Sequence, residues 1–331
     1  MIIESSAPTR IDLAGGTIDI WPLYLFHPNA QTVNVAISLT ANCQLVSRND
    51  DIVQIISKDT NTQVETSLDK LLEANELELL ARIIDFFKPQ SGLTLTTDCN
   101  APAGSGLGGS STLAIAVCGA LNHFTKRNYS QKELLTIAKN LETQVIRVPA
   151  GVQDYYPAMY GAANSIHLNV EDIVLEPLTI DLANLEQHLV LCYTGKPHFS
   201  GTNNWEITKL HIDGDKNIFG LFDRIRDITA EMRSALLDGD ISKVADLLDQ
   251  EWQTRKVLAP GVTTDTIEHL MNVAHQNGAW SAKVCGAGGG GCVTFLAPAD
   301  KKMAVSKALT NAGGQVLDFH LASRGLQVIE K

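Results

Sequence analysis

The chain has 331 residues, a length at which a single core usually stops growing, so two domains of ordinary size are expected. With 44% hydrophobic and 19% charged residues and no low-complexity tract, the composition is that of a chain that folds throughout. A formal net charge of −11 without a concentrated basic face argues against a nucleic-acid partner.

No segment approaches the length of a membrane span, and the first residues carry neither a basic region nor a long apolar run, so a cytoplasmic protein without a membrane partner is the expectation. Six cysteines (Cys43, Cys99, Cys118, Cys192, Cys285, Cys292) show no Cys-x-x-Cys pair and no repeated spacing, which points to buried thiols rather than a zinc site or a disulfide framework.

In chain order, the segment Ala7-Pro-Thr-Arg-Ile-Asp-Leu-Ala-Gly-Gly-Thr-Ile-Asp19 sets a cation, Arg10, before a Gly-rich turn that leads to an acid, Asp19. Taken alone, Arg10 reads as half of a surface ion pair, worth little. The aromatic stretch Ile20-Trp-Pro-Leu-Tyr-Leu-Phe-His-Pro28 suits either stacking on a sugar ring or ordinary core packing, with equal claim. Residues 32–37, 41–47 and 53–57 read as strands, 68–88 as a helix and 92–98 as a strand.

That last strand feeds Pro102-Ala-Gly-Ser-Gly-Leu-Gly-Gly-Ser-Ser-Thr112. Gly104, Gly106, Gly108 and Gly109 can take positive φ, so successive backbone N–H groups can point into one concavity, which suits an anion. From Ser110 onward Leu113, Ala116, Val117, Ala120, Leu121 and Phe124 form a helical apolar stripe, and the N-terminus of that helix would add partial positive charge. The Gly-x4-Gly-Lys-Ser/Thr pattern is not present, since no Lys follows the last glycine. By itself, a glycine-rich turn ahead of a helix serves structure as often as ligand binding.

A second helix is predicted over 131–146, with Ser130 as N-cap and Glu133 completing a capping box. A second domain is expected from residue 185, opening on the buried-strand run Leu189-Val-Leu-Cys-Tyr193. Helices follow over 217–237, 241–257 and 264–277, with Asp238-Gly239 as a turn. Four consecutive glycines at 288–291 cost much backbone entropy to order, which a close backbone approach would justify. A helix over 300–311, a Gly313-Gly314 break and two short strands ending at Leu326-Gln-Val-Ile329 finish the chain. Strands and helices do not alternate strictly, so an α+β fold is expected rather than a doubly wound sheet.

Pro-x-x-x-Gly-Leu-Gly-(Ser/Gly)-Ser-(Ser/Ala) at 102–111 resembles the second motif of the GHMP kinases, the superfamily of galactokinase, homoserine kinase and mevalonate kinase. Residues 7–19 resemble its first motif, and Gly286-Ala-Gly-Gly-Gly-Gly-Cys292 its third. Gly151-Val-Gln-Asp-Tyr-Tyr156 resembles the segment around the catalytic aspartate in the form found in heptose-phosphate and fucose kinases, and Leu191-Cys-Tyr-Thr-Gly195 with Ser200 a Tyr-Thr-Gly segment in which His198 stands where an Arg is frequent.

The resemblance implies a two-domain α+β GHMP kinase fold, with a ribosomal-protein-S5-like domain over 1–184 and a ferredoxin-like domain over 185–331. It implies ATP held by Pro102, Gly104, Ser105, Gly106, Leu107, Gly108, Gly109, Ser110 and Ser111, and Mg2+ held by Ser110 and Glu142. Asp154 would be the base and Arg10 the group that stabilises charge on the transferred phosphoryl. Asp19, Gly16, Thr17, Gln153, Tyr193, Gly195, Gly288 and Gly289 would bind the acceptor, a small-molecule sugar or sugar phosphate. The plainer readings are an N-cap for Ser110 and a solvated helix carboxylate for Glu142. Gly-Gly-Thr-Ile-Asp in place of Gly-Gly-Gly-Thr-Asp, and Val152 where heptose-phosphate kinases often carry Lys, leave the sugar open. The chain is expected as a monomer or homodimer. A non-catalytic sugar- and nucleotide-binding regulator and a mevalonate-type kinase or decarboxylase are the competing functions.

Overall fold

The computed structural model describes residues 1–73, 76–197 and 200–331, with backbone alone at 200–203. The chain opens with β1 (Ile2–Ala14), β2 (Gln31–Ser47), β3 (Ile52–Ser57) and β4 (Thr62–Ser67). Next come α1 (Glu78–Phe87), β5 (Leu93–Cys99), α2 (Gly109–Thr125), α3 (Gln131–Ile146), the short α4 (Tyr155–Tyr160), β6 (Ala163–Leu168), β7 (Ile173–Pro177) and α5 (Leu182–Glu186). The remainder is β8 (Leu189–Tyr193), α6 (Ser200–Ile212), α7 (Lys216–Asp238), α8 (Ile241–Arg255), α9 (Asp265–Gln276), β9 (Ser281–Val284), β10 (Cys292–Leu296), α10 (Lys302–Asn311), β11 (Gln315–Leu317) and β12 (Gln327–Glu330).

These elements make two sheets. The first runs β12-β1-β2-β5-β3-β4, with β6 on the opening residues of β2 and β7 beyond it; the second is β11-β8-β10-β9. All pairings are antiparallel except β3 with β5. Residue 185 lies in α5, and the last strand returns to the first sheet beside β1. The mixed α+β architecture is the expected one.

The two strands expected at 32–37 and 41–47 are one strand, β2, bent at a bulge: Pro8 pairs with Thr40, while Thr9 pairs with Ile37. The extra residues on β2 sit opposite Pro8, which has no N–H to give a regular ladder. The single helix expected over 68–88 is also broken. A 3-10 turn covers Leu68–Glu73, and α1 starts only after Leu77, whose φ of 55° interrupts any helical ladder. The capping box on α3 forms as predicted, with the Glu133 N–H donating to Ser130 Oγ (3.3 Å) and the Ser130 N–H to Glu133 Oε2 (2.7 Å).

Packing explains why α2 sits where it does. Ala114 to Leu121 are buried, so the helix lies within the core between the first sheet, α1 and α3. A second apolar cluster joins Ile11, Leu13, Val33 and Val35 of β1 and β2 to Ile228, Met232, Val244 and Leu248 of α7 and α8 and to Leu189 and Leu191 of β8. The two sheets therefore share a core, which fixes the loop before α2 against the loop before β10. All six thiols are free, five of them buried and Cys99 partly so. Among the described residues no helix is long and apolar enough to cross a membrane.

Candidate active site

The loop between β5 and α2 forms one wall of a cavity of about 570 Å3. Gly104, Gly106 and Gly108 have φ of 65°, 73° and 77°, the left-handed region that a side chain disfavours. At Gly106 a Cβ would also lie 2.3 Å from the Cys285 carbonyl oxygen. Likewise, a Cβ on Gly291 would come 2.6 Å from the Ser105 carbonyl oxygen, which accepts the Cys292 N–H at 2.7 Å. The glycines of the two loops thus permit a close backbone approach, the use for which four consecutive glycines are worth their entropy.

Gly108 is the N-cap of α2 and offers no side-chain cap, so the first amides of that helix face the cavity without a partner from the helix itself. Ser110 is therefore not the cap; it lies inside the first turn, exposed, on the cavity wall. Pro102, Gly104, Ser105, Gly106, Gly108, Gly109 and Ser111 line the same space. Leu107 does not: it is fully buried in the core between the sheets, where its apolar side chain belongs.

Arg10 reaches this loop from β1. It is 2% exposed and donates through Nη1 to the Gly106 carbonyl (2.8 Å), so the surface-pair reading fails. Its Nε and Nη2 both address Asp154 Oδ1, at 2.8 Å and 2.5 Å. Burial opposes the Arg10 charge, but Asp154 and Asp12 more than offset it and hold its pKa above the ordinary value. Asp154 itself stands at the start of α4 with its side chain a quarter exposed, and its Cγ would lie 2.9 Å from a Cβ on Gly108. A carboxylate is thereby held over the N-terminus of α2, facing the cavity.

Glu142, on α3, is buried rather than solvated. Its Oε2 accepts from Ser111 Oγ (2.7 Å) and from the Tyr155 hydroxyl (2.5 Å). Burial raises its pKa against the lowering effect of the Ser110, Tyr155 and Ser111 hydroxyls. Ser111 and Tyr155 are thus neighbours that the sequence did not assign to this carboxylate. Ser110, Ser111 and Glu142 present an oxygen-only donor set beside the glycine loop, the chemistry that suits a hard divalent cation. Among the described residues no group of three or more His, Cys, Asp or Glu side chains gathers to hold a metal ion.

Asp19 lines the cavity but also works on the backbone: its Oδ2 accepts the N–H groups of Val152 (2.6 Å) and Gln153 (2.8 Å), directly before Asp154. Burial pushes its carboxyl up to about 6, with the two amides pulling the other way and Asp154 adding to the rise. Thr17 and Gln153 share its wall.

The remaining assignments are scattered. Gly16 packs against Asp12, Gln153 and Arg255 and does not itself line the cavity. Tyr193 and Gly195 lie at the end of β8, and Gly288 and Gly289 pack on Val262, all outside the cavity lining. In their place Gly286 and Ala287 reach it. His198 lies outside the described residues, as does the side chain of Ser200. Of the aromatic stretch only Ile20 lines the cavity; Trp21 and Phe26 are exposed elsewhere.

Two features had no motif to announce them. An apolar part of the cavity lining is built from Leu77, Leu79, Leu113, Val145, Ile146 and Val148, and Ser57, Asp59 and Thr60 line the cavity as well. Behind the wall that carries Thr17 and Asp19, the side chains of Asp12, Glu251, Arg255 and Lys283 form a buried charge quartet, with Lys283 Nζ 2.8 Å from Asp12 Oδ2 and 3.8 Å from Glu251 Oε2. A single charge inside an apolar strand run, as in Ile11-Asp12-Leu13 and Ala282-Lys283-Val284, is the signal that could have found it.

Two family models match the chain: the GHMP kinases N terminal domain over residues 76–162 and the GHMP kinases C terminal domain over residues 232–315. A D-glycero-alpha-D-manno-heptose 7-phosphate kinase of Campylobacter jejuni is 30% identical over 335 residues, covering 98% of each chain. A bifunctional fucokinase/GDP-fucose pyrophosphorylase of Arabidopsis thaliana is 24% identical over 88% of this chain and 29% of its own length. Among solved structures, a D-glycero-D-manno-heptose 1-phosphate kinase from Bacteriodes thetaiotaomicron superposes with a TM-score of 0.81 at 25% identity, over 99% of both chains.

Proposed function

The chain belongs to the GHMP kinases, ATP-using phosphotransferases with an alcohol acceptor, and on that premise we propose that it phosphorylates a sugar or sugar phosphate, at the anomeric hydroxyl, with Mg2+ as cofactor. The observation that carries this reading is the Asp154 carboxylate held by Arg10 over the glycine loop at the head of α2.

In the proposed reaction the loop amides and the N-terminus of α2 bind the ATP phosphates. Asp154 accepts the proton of the acceptor hydroxyl as its oxygen bonds to the γ-phosphorus and the bond to the β-phosphate oxygen breaks, leaving ADP. Arg10 stabilises charge on the transferred group from a buried position, where a fixed cation is worth more than in water. Ser110 and Glu142 are the residues that would hold Mg2+, which when bound neutralises phosphate charge. Thr17, Asp19 and Gln153 face the acceptor.

We divide the halves at 184/185 and take the enzyme to act in the cytoplasm. The 30% identity to a heptose 7-phosphate kinase makes phosphorylated heptoses the first acceptors to try. The joint presence of Arg10, Glu142 and Asp154 in one cavity speaks against a non-catalytic regulator.

The experiment is ATP consumption across sugars, sugar phosphates and mevalonates, with product position read by 31P NMR. ADP release matched by a new anomeric sugar phosphate is the expected outcome. ADP release with no member of the panel, or release of CO2, would sink the proposal.

A further inference from the structure

Arg255, the last residue of α8, lies outside the cavity and is 2% exposed, yet its guanidinium is the point at which the acceptor wall is fastened. Nε and Nη2 donate to Glu251 Oε1 (2.9 Å and 2.6 Å), Nη1 donates to Thr17 Oγ1 (2.9 Å), and Nη2 also donates to the Gly16 carbonyl (2.6 Å). The turn it grips is a demanding one. Thr17 has φ of 71°, a genuine outlier for a β-branched residue that surrounding structure must enforce. Gly16 leaves no room for a side chain, since a Cβ there would meet Asp12 Oδ2 at 2.5 Å, Gln153 Nε2 at 2.9 Å and Arg255 Nη2 at 3.0 Å.

The charge on Arg255 is balanced on the spot. Glu251 and Asp12 are the buried anions and Lys283 the second buried cation, so the fork can be used without leaving an unpaired charge in the core. From the turn the connection continues. Thr17 is followed by Asp19, whose Oδ2 holds the amides of Val152 and Gln153, and the next residue is Asp154.

We propose that Arg255 is a positioning residue for the acceptor: from α8 it fixes the Gly16-Thr17 turn, so that Thr17 and Asp19 face the cavity and Asp19 holds the strand of chain that carries Asp154. The acceptor side of the site is thereby set by a helix that touches neither substrate, while the phosphate loop is held by the glycines before β10 and by Arg10. This rests on the kinase reading for its kinetic consequence, but its structural consequence can be read without turnover.

Arg255→Lys keeps the charge and removes the planar fork that reaches Thr17 and Gly16. In the ligand-free protein, amide hydrogen exchange at Val152 and Gln153 should quicken by about tenfold or more, while exchange over 105–109 and the affinity for ADP stay within about twofold. Thr17→Val, which keeps the shape and loses the acceptor oxygen, should move the same two amides in the same direction if the lysine variant does not fold. With any acceptor that supports ATP turnover, its KM should rise by about tenfold against an ATP KM that changes less than about twofold. Unchanged exchange at 152–153 in both variants, or equal changes in the two KM values, would overturn the proposal. Absence of turnover with every acceptor would count against the kinase reading alone, because the exchange measurement still decides this one.

Discussion

Arg10 and Asp154, 144 residues apart in sequence, meet at a single carboxylate oxygen: Arg10 Nε lies 2.8 Å and Nη2 2.5 Å from Asp154 Oδ1, while Nη1 holds the Gly106 carbonyl at 2.8 Å. One guanidinium therefore holds the Asp154 carboxylate and the glycine loop in the same frame. Lysine cannot supply three donors in that fork. Arg10→Lys should lower kcat by roughly 10²–10³-fold, the usual worth of a preorganised donor at developing charge. A steady-state kcat within a few fold of the parent would remove Arg10 from the reaction.

Glu142 and Ser110 should act together through the metal. Glu142→Gln keeps an oxygen for the Ser111 and Tyr155 hydroxyls but loses the charge that a divalent cation needs. The Mg2+ concentration for half-maximal rate should rise by about tenfold or more, and Ser110→Ala should shift it the same way. A magnesium titration that superposes on the parent curve for both variants would return these residues to a structural role.

The approach of the two glycine loops gives a paired stability test. Gly106 combines φ of 73° with a Cβ position 2.3 Å from a carbonyl oxygen, whereas Gly195 has φ of 77° and nothing within 4 Å. Gly195→Ala should cost about 1 kcal/mol for the left-handed backbone alone. Gly106→Ala adds a backbone clash and should cost roughly 3 kcal/mol or more and weaken ADP binding. Chemical denaturation of the two variants should separate them; equal costs would mean that the loops are not in contact.

Asp19 carries a pH signature. Because its folded pKa, about 6, is raised above the ordinary 3.8, the stability due to its protonated form is full below that ordinary value and is lost as pH rises through about 6. Asp19→Asn cannot ionise. Relative to it, the parent should lose roughly 2 kcal/mol between about pH 4 and pH 7.5, since each pKa unit is worth about 1.4 kcal/mol and the unfolded carboxyl is already more than half ionised at pH 4. Denaturation curves whose difference is flat over that interval would show that the carboxyl is not held in its buried environment.

The strand-loop-helix junction at 99–125 was legible because positive-φ glycines, an apolar helical stripe and small polar residues all point to one local structure. The capping box of α3 was legible for the same reason, as local chemistry at fixed spacing. Long-range matters were not. Whether 32–47 is one strand or two depended on what lies opposite Pro8, and whether 68–88 is one helix depended on a backbone reversal at Leu77 that tertiary packing imposes. Within the site, motif spacing located Arg10, Glu142 and Asp154, whose side chains converge in space. It could not distinguish Gly286 and Ala287, which reach the cavity, from Gly288 and Gly289, which turn onto Val262, because a run of glycines has no side chains to set its direction. Nor could it find Arg255, which acts on the wall from a helix with no motif of its own.

The central claim is that Asp154 takes the proton of an acceptor hydroxyl while the loop before α2 holds the nucleotide. Asp154→Asn keeps the shape and removes the basic oxygen. Turnover measured at saturating ATP and acceptor should fall by roughly 10²–10⁴-fold, with the affinity for ADP unchanged to within about twofold. Turnover equal to that of the parent would contradict the account.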